Sequence, residues 1–182
     1  SRKGRDGFRG GARGKVVCYC HGGTIPSLKL TEKELSRMRL HPLKAGDRVK
    51  LGKVTMQALG ANHEVSRTRE TALHYLFACE GKKFFYGCEG AWFLAQTWSV
   101  LRKHELDLAI MEATVGSMRA NYRIASHNTL AMVDMLVEAM EECGILRKDS
   151  LVVLSHLSRE LHRPDEDYGS KIVAYDGMRL EI

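Results

Sequence analysis

Ser150-Leu151-Val152-Val153-Leu154-Ser155-His156-Leu157-Ser158 holds a run of four apolar residues, 151–154, the length of a short strand, with a histidine just past it. A strand that stops at an imidazole places it at a sheet edge, where metal ligands and catalytic bases commonly sit. Two other histidines occupy comparable places. His63 follows the apolar stretch ending at Leu59, and His127 directly precedes a helical pattern. Glu89 ends a further strand, in Tyr86-Gly87-Cys88-Glu89-Gly90. Imidazole and carboxylate are the usual ligands of zinc, manganese and iron. Each residue also has an ordinary reading: a lone histidine after a strand is commonly a hydrogen-bonded surface group, and Glu89 can cap the helix that follows it.

Working outward, Lys15–Cys20 reads as a strand and Thr31–Leu40 as a helix, Thr31 and Glu34 forming a capping box and Pro42 standing beyond its end. Residues 48–51 and 54–59 pair around Gly52-Lys53, and 71–79 with 83–88 around Glu80-Gly81-Lys82. Ala91, Leu94, Ala95, Trp98 and Leu101 predict a helix over 91–104, followed by a strand at 107–113. Leu130, Val133, Leu136, Val137 and Met140 make the apolar stripe of a helix over 128–143, which Gly144 stops. Residues 150–154 form a strand, and 171–175 with 178–182 a final hairpin around Asp176-Gly177. Hairpins and helical crossovers together predict a layered α/β (α+β) fold.

The 182 residues suit one domain, expected over 15–182, behind a basic Gly/Arg-rich segment over 1–14. Residues 1–15 carry +5 of the net charge of +6, so the remainder is close to neutral. Arg9-Gly10-Gly11 and Arg13-Gly14 are similar to phosphate-attracting tails, although a solvated connector explains them as well. No apolar run reaches membrane-spanning length and no signal peptide opens the chain, so a cytoplasmic location is expected. Five cysteines without C-x-x-C spacing argue against a disulfide framework. Cys18 and Cys20 share a strand face and could hold a metal with His21; the alternative is buried thiols packing as small hydrophobes.

The phrases Leu59-Gly60-Ala61-Asn62-His63, Phe85-Tyr86-Gly87-Cys88-Glu89-Gly90, Ile110-Met111-Glu112-Ala113-Thr114, Ser126-His127-Asn128-Thr129-Leu130, Ser155-His156-Leu157-Ser158 and Tyr175-Asp176-Gly177-Met178 come in a telling order. Together the chain resembles the later two-thirds of a metallo-β-lactamase-fold hydrolase, in the phosphodiesterase branch that includes the cyclic-phosphate phosphodiesterase of phosphonate breakdown. The resemblance implies an αββα sandwich with its N-terminal part missing. It implies that His63 ligates a first metal, that Glu89 stands where the family has a metal-bridging aspartate, and that His156 ligates a second metal. It further implies that His127 protonates the leaving group, next to a helix N-terminus that attracts the phosphate. The cofactors would be two divalent ions (zinc, manganese or iron), activating a hydroxide for attack on a small phosphodiester. The family's His-x-His-x-Asp-His motif does not occur in these 182 residues, and glutamate replaces the bridging aspartate. A missing N-terminal segment, or a partner such as a second copy of the chain, is expected to cover the sheet edge left bare. Two other functions fit the same residues: a non-catalytic binding module with a degenerate metal site, and a nuclease acting on RNA through its basic start.

Overall fold

The computed structural model describes residues 14–65, 70–118 and 121–182. The basic segment expected over 1–14 thus falls, except for Gly14, outside the described residues. Nine strands and three α-helices follow in chain order: β1 (Val16–His21), α1 (Glu32–Arg37), β2 (Met38–Leu43), β3 (Arg48–Leu51), β4 (Val54–Gly60), β5 (Leu73–Cys79), β6 (Lys82–Gly87), α2 (Ala95–Leu101), β7 (Leu106–Glu112), α3 (Leu130–Glu142), β8 (Leu146–Ser155) and β9 (Ile172–Val173).

Strands β3 to β9 form one seven-stranded sheet in sequential order. β3 to β6 run antiparallel through hairpins, while β7, β8 and β9 each join parallel to the strand before. The β6–β7 and β7–β8 connections carry α2 and α3, as parallel pairing requires a crossover. Register sorts side chains into two faces. Leu59, Leu76, Phe85, Ala109, Met111 and Leu154 pack in one core with Leu101 of α2 and with Leu130, Val133, Leu136 and Met140 of α3. Truncating a residue such as Leu136 to Ala there would cost about 2–5 kcal/mol. On the opposite face Met56 and Ala58 pack with Leu43, Tyr19, Tyr75 and Phe77, which lays the β1–β2 pair across the β4–β5 region.

The mixed α/β layering expected is present: among the described residues α2 and α3 cover one face of the large sheet and the small sheet covers the other, while α1 has six residues and none is buried. Three local expectations change. The capping box at Thr31 forms as read, but the helix ends at Arg37, because Met38–Leu43 pairs in parallel with Val16–His21. The helices expected over 91–104 and 128–143 are shorter, Ala95–Leu101 and Leu130–Glu142. The final hairpin does not form: Ile172–Val173 adds to β8, and the turn Tyr175–Met178 remains with Gly177 at φ +88°. Of the five free cysteines only Cys88 is buried, so packing as buried hydrophobes describes one thiol and not Cys18 or Cys20.

Candidate metal centre

The C-terminal ends of β6, β7 and β8 lie side by side, and the residues that follow them build the site. Only three non-glycine residues have positive φ: Glu80 in a hairpin turn, Glu89 after β6 (φ 63°) and His156 after β8 (φ 54°), among the described residues. Left-handed backbone costs an L-residue roughly 1–2 kcal/mol, and such strain gathers at functional sites. In both cases it turns a side chain across the sheet edge. The Glu89 carboxylate consequently stands between two imidazoles, Oε1 2.6 Å from His156 Nε2 and Oε2 3.6 Å from His63 Nε2.

Each imidazole is anchored through its other nitrogen. His63 Nδ1–H donates to the Ser126 carbonyl at 3.1 Å. His156 Nδ1 lies 2.7 Å from the Thr114 hydroxyl, which also contacts a Glu112 carboxylate oxygen closely. A carboxylate and a carbonyl only accept, so the Thr114 proton goes to Glu112 or to the His156 carbonyl (2.9 Å), and Thr114 accepts from His156 Nδ1–H. Both Nε2 atoms then face Glu89. A contact of 2.6 Å between a ring nitrogen and a carboxylate oxygen holds a proton or a cation, and Nδ1–H groups anchored this way with Nε2 turned toward a shared carboxylate are the arrangement of metal-binding histidines.

Glu112, at the end of β7, is fully buried. It accepts the Thr114 N–H (2.9 Å) and the Asn128 N–H (2.7 Å) besides the Thr114 hydroxyl. These donors offset the desolvation of its charge. Its Oε1 also lies 3.5 Å from His127 Nδ1, a buried nitrogen with no hydrogen-bond partner of normal geometry. The His127 ring packs edge-on to His63 (4.9 Å between centroids) and stacks with His156 (5.6 Å). The described residues therefore contain two overlapping donor sets, His63–Glu89–His127 and Glu112–His127–His156, each with ligand atoms within 4.8 Å of one another. Imidazole and carboxylate donors at that spacing fit a divalent ion.

Three N–H groups at or just before the N-terminus of α3 have partners within the chain. The Asn128 N–H is taken by Glu112, the Leu130 N–H by the Gly116 carbonyl and the Met132 N–H by the Thr129 side chain. The Glu112 carboxylate is thus the side-chain anion that the fold brings to this terminus. Asn128, fully buried, bonds the Gly90 carbonyl through Nδ2 (3.0 Å) and accepts the Trp92 N–H (3.2 Å), tying the Glu89 turn to α3. Behind Thr114, His162 Nε2–H donates to the Ala113 carbonyl at 2.6 Å.

All four residues singled out from the sequence, His63, Glu89, His127 and His156, come together here. Glu112, Thr114 and Asn128 were missed as working residues although they lie in the quoted phrases. The readable signal was Glu112: a charge that directly follows the apolar run over 108–111 must be compensated. Cys18, Cys20 and His21 stand apart from both donor sets. His21 Nδ1 is committed to the N–H groups of Gly23 (3.1 Å) and Thr71 (3.2 Å). Cys20 and His21 instead line a cavity of about 480 Å³ that opens on His63 and Glu89 and includes Tyr75 and Thr71. No helix among the described residues is long and apolar enough to cross a membrane.

No family model matches the chain, and no curated protein sequence does. Solved structures do. The metallo-β-lactamase fold protein YhfI from Bacillus subtilis superposes with a TM-score of 0.66 at 16% identity, over 92% of this chain and 66% of that one. A diphosphatase from the PhnP family gives 0.64 at 17% identity, over 91% and 57%. Zn(2+)-bound PqqB from Methylobacterium extorquens gives 0.62 at 11% identity, over 92% and 65%. The chain has the metallo-β-lactamase fold, and it spans between 57% and 66% of the length of these structures.

Proposed function

We propose that this protein is a metal-dependent hydrolase acting on small phosphodiesters. The observation that carries the reading is the Glu89 carboxylate held between His63 Nε2 and His156 Nε2, with each ring anchored at Nδ1. The fold shared with a PhnP-family diphosphatase and a zinc-bound protein supports it. His63, Glu89 and His156 would hold the metal, with Glu112 and Thr114 orienting His156. A bound zinc, manganese or iron supplies Lewis acidity and an activated water.

The remaining chemistry belongs to the chain. Glu112 faces His127 Nδ1 and so turns Nε2 away from the buried carboxylate, free to deliver a proton. His127 Nε2–H would protonate the oxygen of the departing alcohol, leaving that group uncharged. The cavity beside His63 and Glu89 would receive one arm of the substrate. Hydrolysis of a nitrophenyl phosphodiester by metal-loaded protein tests the reading. His127→Ala should lower turnover by about 10²–10⁴-fold while leaving metal content unchanged. Equal loss of both would make His127 a ligand, and no hydrolysis by the metal-loaded wild type would contradict the proposal.

A further inference from the structure

One histidine lies outside this scheme. His74, on β5, points into the helix-side core and is fully buried, with Phe85 and Phe93 packed edge-on against its ring at 5.4 and 5.8 Å between centroids. Neither ring nitrogen has a hydrogen-bond partner of normal geometry. A phenylalanine or leucine would fill this space without burying two polar atoms, so packing alone does not account for an imidazole.

The ring is aimed at the Glu89 turn. A Cβ on Gly90 would sit 2.9 Å from His74 Nε2 and 3.3 Å from Cε1, so residue 90 must lack a side chain for the ring to reach the main chain there. Burial pushes the imidazole down to about 4, and the Glu89 main chain, acting as a hydrogen-bond acceptor, works against that shift. A neutral ring still carries one N–H to offer. Directly above it, Glu89 holds the left-handed φ of 63° that sends its carboxylate toward His63 and His156. Asn128 holds the same turn from the α3 side through the Gly90 carbonyl, and the Ala91 N–H bonds the Asn62 and Ser126 carbonyls. His74 closes the side toward the core.

We infer that His74 is a positioning residue: its Nε2–H supports the Glu89 main chain from beneath and fixes the turn that places the Glu89 carboxylate between the two site histidines. This rests on Glu89 being a metal ligand. The consequence is that a group without direct access to the metal sets metal affinity through backbone placement, as outer-shell partners do.

The test compares His74→Phe, which keeps the ring and loses the donor, with His74→Gln, whose amide N–H₂ lies close to the position of Nε2. Zinc affinity is measured by competition with a chromophoric chelator, and melting temperature on metal-free protein. His74→Phe should bind zinc about 10–100-fold more weakly with an unchanged or raised melting temperature, and His74→Gln should stay within about threefold of wild type. Equal losses in the two variants, or wild-type affinity in His74→Phe, would overturn the inference. In the metal-free wild type, the His74 N–H should be slow to exchange and show scalar coupling to the Glu89 carbonyl carbon by NMR. A rapidly exchanging, uncoupled N–H overturns the contact whatever the variants do. Wild-type protein without zinc affinity would instead overturn the hydrolase reading, so the two failures are read separately.

Discussion

Strand β7 carries a carboxylate near each end, and the two have opposite fates. Asp107, near its start, accepts the Lys83 N–H at 2.8 Å and pairs with Lys82 Nζ (3.2 Å) and Arg147 (3.1 Å). The Lys83 amide, then the Arg147 and Lys82 side chains, hold its carboxyl below the usual aspartate range. Glu112, at the far end, has no cation of that kind. Its partners are two backbone N–H groups and one hydroxyl, with the His127 Nδ1 at 3.5 Å. A negative charge neutralised by fixed cations is finished structurally. A carboxylate held by backbone N–H groups and a hydroxyl, with no fixed cation beside it, faces the titratable imidazoles of His127 and, through Thr114, His156. The same contrast appears in backbone conformation: left-handed Glu89 and His156 both belong to the Glu112 end.

Exchanging charge for a neutral isostere should break this contrast unequally. Glu112→Gln places an amide N–H₂ against the Asn128 and Thr114 donors and lets His127 turn. Turnover should fall by about 10–100-fold, and stability by about 1–3 kcal/mol, measured by steady-state hydrolysis and urea titration. A fully active Glu112→Gln would mean that the Glu112 end is as purely structural as the Asp107 end. Thr114→Val removes the hydroxyl that relays Glu112 to His156. Zinc affinity should fall by about tenfold, with a smaller effect on melting temperature than Glu112→Gln. An unchanged affinity would show that His156 needs no orienting partner.

Asp107→Ala should be the mildest and should leave hydrolysis untouched, costing about 1–2 kcal/mol of stability at pH 7. Because the folded carboxyl is held low, its contribution is complete above the ordinary value of about 3.9 and fades as pH falls through the folded value. The gap between wild type and Asp107→Ala should thus narrow below about pH 4, read by denaturant melts over pH 3–7. A gap that widens on acidification would reverse the assignment.

Local chemistry carried much of the fold into view. Thr31 and Glu34 marked a helix start, Gly144 at φ +68° marked a helix stop, and the stripe from Leu130 to Met140 marked its buried face. What stayed hidden depended on distant partners. Nothing within Met38–Leu43 announces that Val16–His21 will pair with it and end α1 at Arg37. The Asp176-Gly177 turn was legible, yet its flanks were not, because Ile172–Val173 finds β8 rather than the residues beyond the turn. The site divides similarly. His63, Glu89, His127 and His156 stand out as chemical types at element ends. Thr114 and Asn128 are ordinary polar residues until the fold brings Glu112, His156 and Gly90 to them. His74 was invisible for the same reason, since only β5 register turns it inward.

The central claim is that Glu89 joins His63 and His156 into a metal-holding site. Isothermal titration of metal-free protein with zinc, alongside Glu89→Ala, tests it most directly. The account predicts saturable zinc binding by the wild type and a loss of at least tenfold in affinity in a folded Glu89→Ala. Equal zinc affinity in the two proteins, or none in the wild type, would contradict it.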